Sequence, residues 1–337
     1  MRAALIDKSS GSARLSLTER QIPRPAAGEI LVRVEAASLN YRDLLVIDGI
    51  GRWNPPAGRI PGSDACGIVT EIGPGVEGLK PGDRIVSTIL PNWLSGSLSA
   101  DKLQGSLGGA AADGVFAEYV LLRSNSVVVV DDRMTSEELA TLPCAALTAW
   151  QALQRASSLA PGKTVLLEGT GGVSIFALQM VVAAGAKAVI TSSNDEKLAK
   201  ALELGASAGI NYRTSSDWVE KAMSLSPDGY DHVLDVGGAS TLSQSIALAA
   251  YEGTVSIIGL IGGLEATIDL TPVFAKNLKV DGIEVGSRAM LAELVEWYGG
   301  HNLRPVIDRV FGLDEINLAL DHLRSGSHFG KVVVKFA

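Results

Sequence analysis

Gly169, Thr170, Gly171, Gly172, Val173 and Ser174 stand between the apolar run Thr164–Leu167 and the apolar stretch "IFALQMVVA". Their offsets follow G-x-G-x-x-G, with serine in the last place. Glycines at the first two offsets let the chain turn tightly and let its amides approach a pyrophosphate, whose charge rests at a helix N-terminus. The third position serves close helix–strand packing, and serine is small enough for it. Alone, such a match reads equally as a structural turn. Here it follows a strand and opens a helix, which favours a dinucleotide. About 20 residues on, where NAD sites place an acid for the ribose, the chain has "TSSNDEK", with Thr191, Ser192 and Ser193 at the strand end. Hydroxyls can donate to a 2′-phosphate that a carboxylate would repel. Lys197 adds charge nearby, and Tyr212 and Arg213 offer donors at the next strand end. The pattern predicts NADP (NADPH) over NAD, the alternative being an ordinary solvated loop.

The elements that must position this loop alternate regularly from Lys163 onward. "TVLLEG", "AVITSS", "GINY", "HVLDVGG", "TVSIIGL" and "LKVDGIEVG" read as strands. "VSIFALQMVVAAG", "DEKLAKALELGA", "SDWVEKAMSLS" and "TLSQSIALAAYEG" read as the helices between them. Such alternation implies a parallel sheet covered on both faces. The chain before it is rich in short strands and turns, then turns helical at "SEELATLPCAALTAWQAL", with Ser136 as expected N-cap and Pro143 interrupting. The end returns to mixed helix and strand. A nucleotide-type domain inserted into a β-rich domain built from both chain ends is therefore expected.

Composition narrows the function classes. The 337 residues suffice for two domains, and the net charge of −8 argues against non-specific nucleic-acid or membrane-surface binding. With two cysteines, Cys66 and Cys144, there is neither a disulfide framework nor a CxxC metal pattern, which fits a reducing compartment. "MRAALID" is too short an apolar run for a secretory leader, and no apolar run reaches membrane-spanning length. A cytoplasmic protein is expected.

The segments "GTGGVSIFALQ", "TLPCAALTAW", "SLNYRDLL", "PGSDACGIVTEIGPGVEGLKPGDRIV" and "GSHFGKVVV" together resemble the medium-chain dehydrogenase/reductase superfamily across essentially the whole chain. The nearest branch in these motifs is the zinc-free one, described as quinone oxidoreductase-like or as NAD(P)-dependent alcohol dehydrogenases. The resemblance implies an α/β chain: a GroES-like β-rich catalytic domain (1–145 and 289–337), an inserted Rossmann doubly wound parallel-sheet domain (146–288), and a cleft between them. Zinc-bearing members hold their catalytic metal with Cys, His and Cys. The corresponding positions carry Asn40, Ser63 and Cys144, and "PNWLSGSLSADKLQGSLGGAAADG" lacks the cysteines of the structural zinc lobe. No metal is expected, and both cysteines read as small buried residues.

Without a Lewis acid, hydride transfer suits an acceptor that is already electrophilic, such as a quinone or an α,β-unsaturated carbonyl. The resemblance puts Asn40 at the nicotinamide end of the cleft. Tyr41 is the nearest hydroxyl that could donate to the substrate oxygen, or else a packed tyrosine, and Arg42 and Asp43 could equally form a structural ion pair. Related enoyl reductases use a tyrosine where this chain has Trp53. Trp53 and Trp93 could line an apolar pocket or merely anchor loops. By resemblance Thr148 lies near the nicotinamide, Ile258, Gly259, Val285 and Ser287 pass its carboxamide, and Lys331 reaches the pyrophosphate. The function expected is a zinc-independent NADPH-dependent reductase of quinones or α,β-unsaturated carbonyls. A zinc-independent alcohol dehydrogenase or ketone reductase, and an inactive nucleotide-binding or redox-sensing protein, are the alternatives. The expected partners are a small-molecule substrate and further copies of the chain in a homodimer or tetramer, with no nucleic acid and no membrane.

Overall fold

The computed structural model describes residues 1–8 and 14–336. The chain divides into two compact units, residues 148–284 and, from both sides of them, residues 1–147 with 285–337.

In the two-part unit the strands are β1 (Arg2–Asp7), β2 (Arg14–Glu19), β3 (Glu29–Leu39), β4 (Asp64–Ile72), β5 (Arg84–Ser87), β6 (Tyr119–Arg123) and β7 (Val127–Val129). The inserted unit holds β8 (Thr164–Leu167), β9 (Lys187–Ser192), β10 (Ala208–Asn211), β11 (Tyr230–Asp235), β12 (Ala249–Ile257) and β13 (Lys279–Gly282). The chain then returns to add β14 (Ile307–Gly312) and β15 (Lys331–Lys335) to the first unit.

That first unit is built on a sheet in the order β14-β15-β3-β4-β5-β7, with β6 also on β3, and a separate β1–β2 pair. β3 is long and irregular in register, with shifts at Leu31/Val32 and Val34/Ala36, so that it serves several partners. Its antiparallel partner β15 places Val332 opposite Leu39. Ile30, Val32, Val34, Phe116, Val332 and Val334 belong to the buried core around these strands. The α/β fold class with a GroES-like part and a parallel-sheet, Rossmann-like part is what the structure contains.

In the inserted unit the six strands are parallel, in the order β10-β9-β8-β11-β12-β13. Helices at Gly172–Ala183, Asp195–Glu203, Trp218–Leu225, Leu242–Leu248 and Thr271–Ala275 make the crossings. The central strand β8 is apolar where it is covered on both faces: Val165, Leu166 and Leu167 are fully buried.

Two local expectations are corrected. Thr135, not Ser136, caps the helix Ser136–Leu139, its hydroxyl accepting from the Glu138 amide at 3.2 Å. The helix over "TLSQSIALAAYEG" ends at Leu248, and Ala249–Glu252 belongs to β12; parallel pairing of β12 with β11 overrides the helix-forming alanines.

Candidate functional site

The sheet order reverses direction at β8: the chain passes outward through β9 and β10, then returns to β11 on the other side of β8. The carboxyl ends of β8 and β11 therefore flank a topological switch point, the place where open α/β sheets take ligands. The β8 loop is Glu168–Gly171. Gly169 has φ +71°, the left-handed region that glycine adopts without penalty. Gly171 is the N-cap of Gly172–Ala183 and, as a glycine, puts no side-chain cap on the first-turn amides. Ser174 is buried, and its hydroxyl donates to the Glu168 carbonyl over 2.6 Å. Serine thus keeps helix and strand close by a bond rather than by vanishing. On the far side, a Cβ at Gly259 would stand 1.8 Å from the Val236 carbonyl. The β12 loop consequently lies backbone against backbone on the β11 loop. Glycines here and a bare helix end fit a dinucleotide.

Beneath the loops lies a carboxyl pair that the sequence reading missed. Ser245 Oγ stands 2.8 Å from Glu168 Oε1 and 2.7 Å from Asp235 Oδ2. Ser245 has one hydroxyl hydrogen for two carboxylates, so the site favours a proton on one of the pair. Burial and the neighbouring Asp235 push Glu168 up to about 7, and burial raises Asp235 as well. Glu168 Oε2 accepts the Val236 and Gly237 amides at 3.3 and 3.4 Å, and Asp235 Oδ1 accepts the Gly238 amide at 2.6 Å. The pair therefore ties the β8 and β11 loops together. The only sequence signal was an acid in each of "LLEG" and "VLDVGG", both inside apolar runs.

The expected 2′-phosphate donors are placed less uniformly. Ser192 is buried, its Oγ 3.4 Å from Thr170 Oγ1 and equally far from the Asn194 amide, so its hydroxyl faces inward. Thr191 accepts the Gly169 amide at 3.2 Å. Ser193 is half-buried, Tyr212 is exposed, and the Lys197 amide is held by the Asn194 cap. Thr148 is buried at the start of this unit, and Ile258 and Gly259 are half-buried beyond β12. Val285 and Ser287 belong to the other unit; the Ser287 hydroxyl caps the helix Arg288–Gly300 through the Met290 amide.

In the two-part unit, Asn40 follows β3 and caps the helix Tyr41–Asp48, with the buried Asp43 carboxylate accepting its backbone amide at 2.8 Å. Lys331 opens the neighbouring β15 and is 3% exposed. Its Nζ donates to the Leu39 carbonyl at 2.6 Å and to Asn40 Oδ1 at 2.5 Å. The resemblance expects Lys331 at a pyrophosphate; here strand pairing directs its ammonium to Leu39 and Asn40. Asp64 is the counter-charge. It accepts from Ser63 Oγ at 2.7 Å and from the Cys144 amide at 3.1 Å. Burial raises its pKa, against the opposing influence of Lys331, the Asn40 side chain and Ser63. Burial likewise holds Asp43 up at about 6, although Arg42 lies 3.8 Å away.

Tyr41 is not part of this cluster. It is 41% exposed, whereas Asp43 on the same helix is fully buried. Arg42, from the next position, is the side chain that bears on Asp43, Asp64 and Cys144. Trp93 is 1% exposed with Nε1 on the Gly96 carbonyl at 2.8 Å, a loop anchor rather than a pocket wall. Trp53 packs on the core under the Arg52 guanidinium.

A zinc ion does not fit these residues. Asn40, Ser63 and Cys144 offer one thiol, an amide and a hydroxyl, and the amide oxygen already faces an ammonium. Burial, followed by the Asp64 charge, raises the Cys144 thiol pKa and disfavours the thiolate a metal needs. Among the described residues no group of His, Cys, Asp and Glu could hold a metal ion.

Residues 26–132 match the alcohol dehydrogenase GroES-like domain and residues 172–299 the zinc-binding dehydrogenase family. A zinc-type alcohol dehydrogenase-like protein of Schizosaccharomyces pombe is 40% identical over 343 residues, covering 99% of both chains. An acryloyl-coenzyme A reductase of Metallosphaera sedula is 28% identical, covering 94% of this chain and 95% of its own. The crystal structure of an NAD-dependent alcohol dehydrogenase superposes with TM-score 0.89 at 31% identity, covering all of both chains. A cobalt- and zinc-bound thermostable alcohol dehydrogenase from Pyrobaculum aerophilum does so at 0.86 and 30%, covering 99% of each. The chain belongs to the medium-chain dehydrogenase/reductase superfamily. It is an oxidoreductase that uses a nicotinamide cofactor and acts on a small molecule. No described helix is long and apolar enough to cross a membrane.

Proposed function

We propose that this enzyme reduces quinones or α,β-unsaturated carbonyls with NADPH, without a metal. The observation that carries the reading is the Lys331–Asn40 bond at a position where metal-bearing members place a ligand. With an amide there, the chain offers a hydrogen-bond donor and not a Lewis acid. A conjugated acceptor needs no more than that, because the charge it gains is delocalised onto an oxygen.

The glycine loop Gly169–Ser174 would hold the cofactor's pyrophosphate on the bare amides of its helix. When bound, the dihydronicotinamide supplies the hydride. Asn40 donates from Nδ2 to the acceptor oxygen as negative charge develops there, and solvent returns the proton. The absence of an acid at the end of β9 supports NADPH. The acryloyl-coenzyme A reductase relative supports conjugated acceptors.

The alcohol dehydrogenase relatives favour a second reading, NAD(P)-dependent oxidation of alcohols. The two separate in one assay: cofactor absorbance is followed with an enone, a quinone and a simple secondary alcohol, each with both cofactors. Turnover of enone or quinone with NADPH is expected. Fast oxidation of the alcohol with no turnover of either acceptor would establish the second reading instead.

A further inference from the structure

We infer that Lys331 is a positioning residue for this chemistry: a cation built into the chain that orients the Asn40 amide and takes the electrostatic place of a metal. The inference rests on Asn40 being the donor to the acceptor oxygen.

An ammonium presents only hydrogens, so the Asn40 atom facing it at 2.5 Å must be oxygen. The amide cannot flip, and Nδ2 is held as the donor end. Nδ2 makes a long bond to the Ser38 carbonyl at 3.5 Å, and the Asn40 side chain favours the charged form of Asp64. A cation on Oδ1 draws charge from the amide and makes its N–H groups stronger donors. The backbone enforces the arrangement, since Val332 pairs with Leu39 and brings the adjoining Lys331 and Asn40 side by side. Asp64, fixed by Ser63 and by the Cys144 amide, balances the charge. Asn40, Ser63 and Cys144, the positions matching the metal ligands of other members, thus all bear on one Lys331–Asp64 pair. Arg42 and Asp43 complete the charged groups around it; burial lowers the lysine's pKa, and the Asp64 charge is the first influence that opposes this.

A merely structural lysine would hold β15 to β3 and nothing more. A double-mutant cycle distinguishes the two roles, using whichever acceptor the wild type turns over. Lys331→Met should lower kcat about tenfold to a hundredfold, below the full effect of one oxyanion donor, and leave the KM of the acceptor and the Kd of NADPH within about threefold. In the Asn40→Ala background it should cost nothing further, because the lysine acts through Asn40. An equal loss of kcat in both backgrounds would overturn the inference. If Lys331→Met does not fold, Lys331→Gln, which keeps a donor and removes the charge, replaces it.

A second readout does not need activity. The Asn40→Cys/Ser63→His variant is titrated with cobalt(II) with and without Lys331→Met. Thiolate–cobalt absorption should appear only when the lysine is gone. Cobalt uptake that is the same in both, whether full or nil, would overturn the inference. A wild type that turns over no quinone or enone defeats the proposed reaction alone, and the cobalt comparison still decides the role of Lys331.

Discussion

Ser174 Oγ donates to the Glu168 carbonyl over 2.6 Å, closing the glycine loop from inside. A third glycine would let helix and strand approach; the serine makes the approach and bonds across it. Ser174→Ala removes one buried hydrogen bond, worth about 1 kcal/mol. Melting should fall by about 2–4 °C. NADPH affinity should change little, because the first-turn amides stay in place. An unchanged melting temperature would show that the bond contributes nothing.

The carboxyl pair gives a pH signature. Glu168 is raised from 4.5 to about 7, so between those values the folded chain keeps a proton that the unfolded chain has lost. Stability from this group is full below about pH 4.5, falls as pH rises through 7, and is level above. Glu168→Gln mimics the protonated acid and cannot lose the proton. Its melting temperature relative to wild type should climb from pH 5 to pH 8. Parallel melting curves across that range would contradict the shared proton.

Cofactor choice should respond at Ser193 rather than at Ser192. The Ser192 hydroxyl is turned toward Thr170, whereas Ser193 is half-buried just past the strand end. Ser193→Asp should weaken NADPH about tenfold or more relative to NADH, through repulsion of the 2′-phosphate. Ser192→Asp should mainly destabilise the fold by burying a carboxylate. Dissociation constants by fluorescence titration and melting curves measure both. Equal binding of the two reduced cofactors by the wild type would remove the proposed NADPH preference.

A homodimer or tetramer is expected in solution. β13 pairs with β12 on one side and ends the described sheet on the other. In the same late part of that unit, Leu264, Leu270 and Phe274 are more than 60% exposed. An apolar surface beside an open strand edge is an aggregation hazard unless a second copy covers it. Phe274→Asp should lower the mass found by light scattering toward one chain. A wild type that is already a single chain at micromolar concentration would refute the expectation.

The sequence alone determined the fold class. Apolar runs alternating with helical periodicity can bury their surface only as a parallel sheet between helices, and the strand–glycine–helix order of Thr164–Ala183 puts a bare helix end at its middle. Local signals of this kind are legible because they recur every few residues along one element. The directions of side chains brought together from distant segments were not legible. Asn40 and Lys331 are 291 residues apart, and nothing near either shows that β3 and β15 lie side by side. Tyr41 and Arg42 are neighbours in sequence, yet only the pitch of their helix decides that the arginine lies against the buried Asp43 and the tyrosine stays exposed. Glu168, Asp235 and Ser245 each look unremarkable in place, and the carboxyl pair exists because three elements converge on one hydroxyl. Periodicity fixes which face of an element is buried; what it meets there depends on strand order and register, which only tertiary packing supplies.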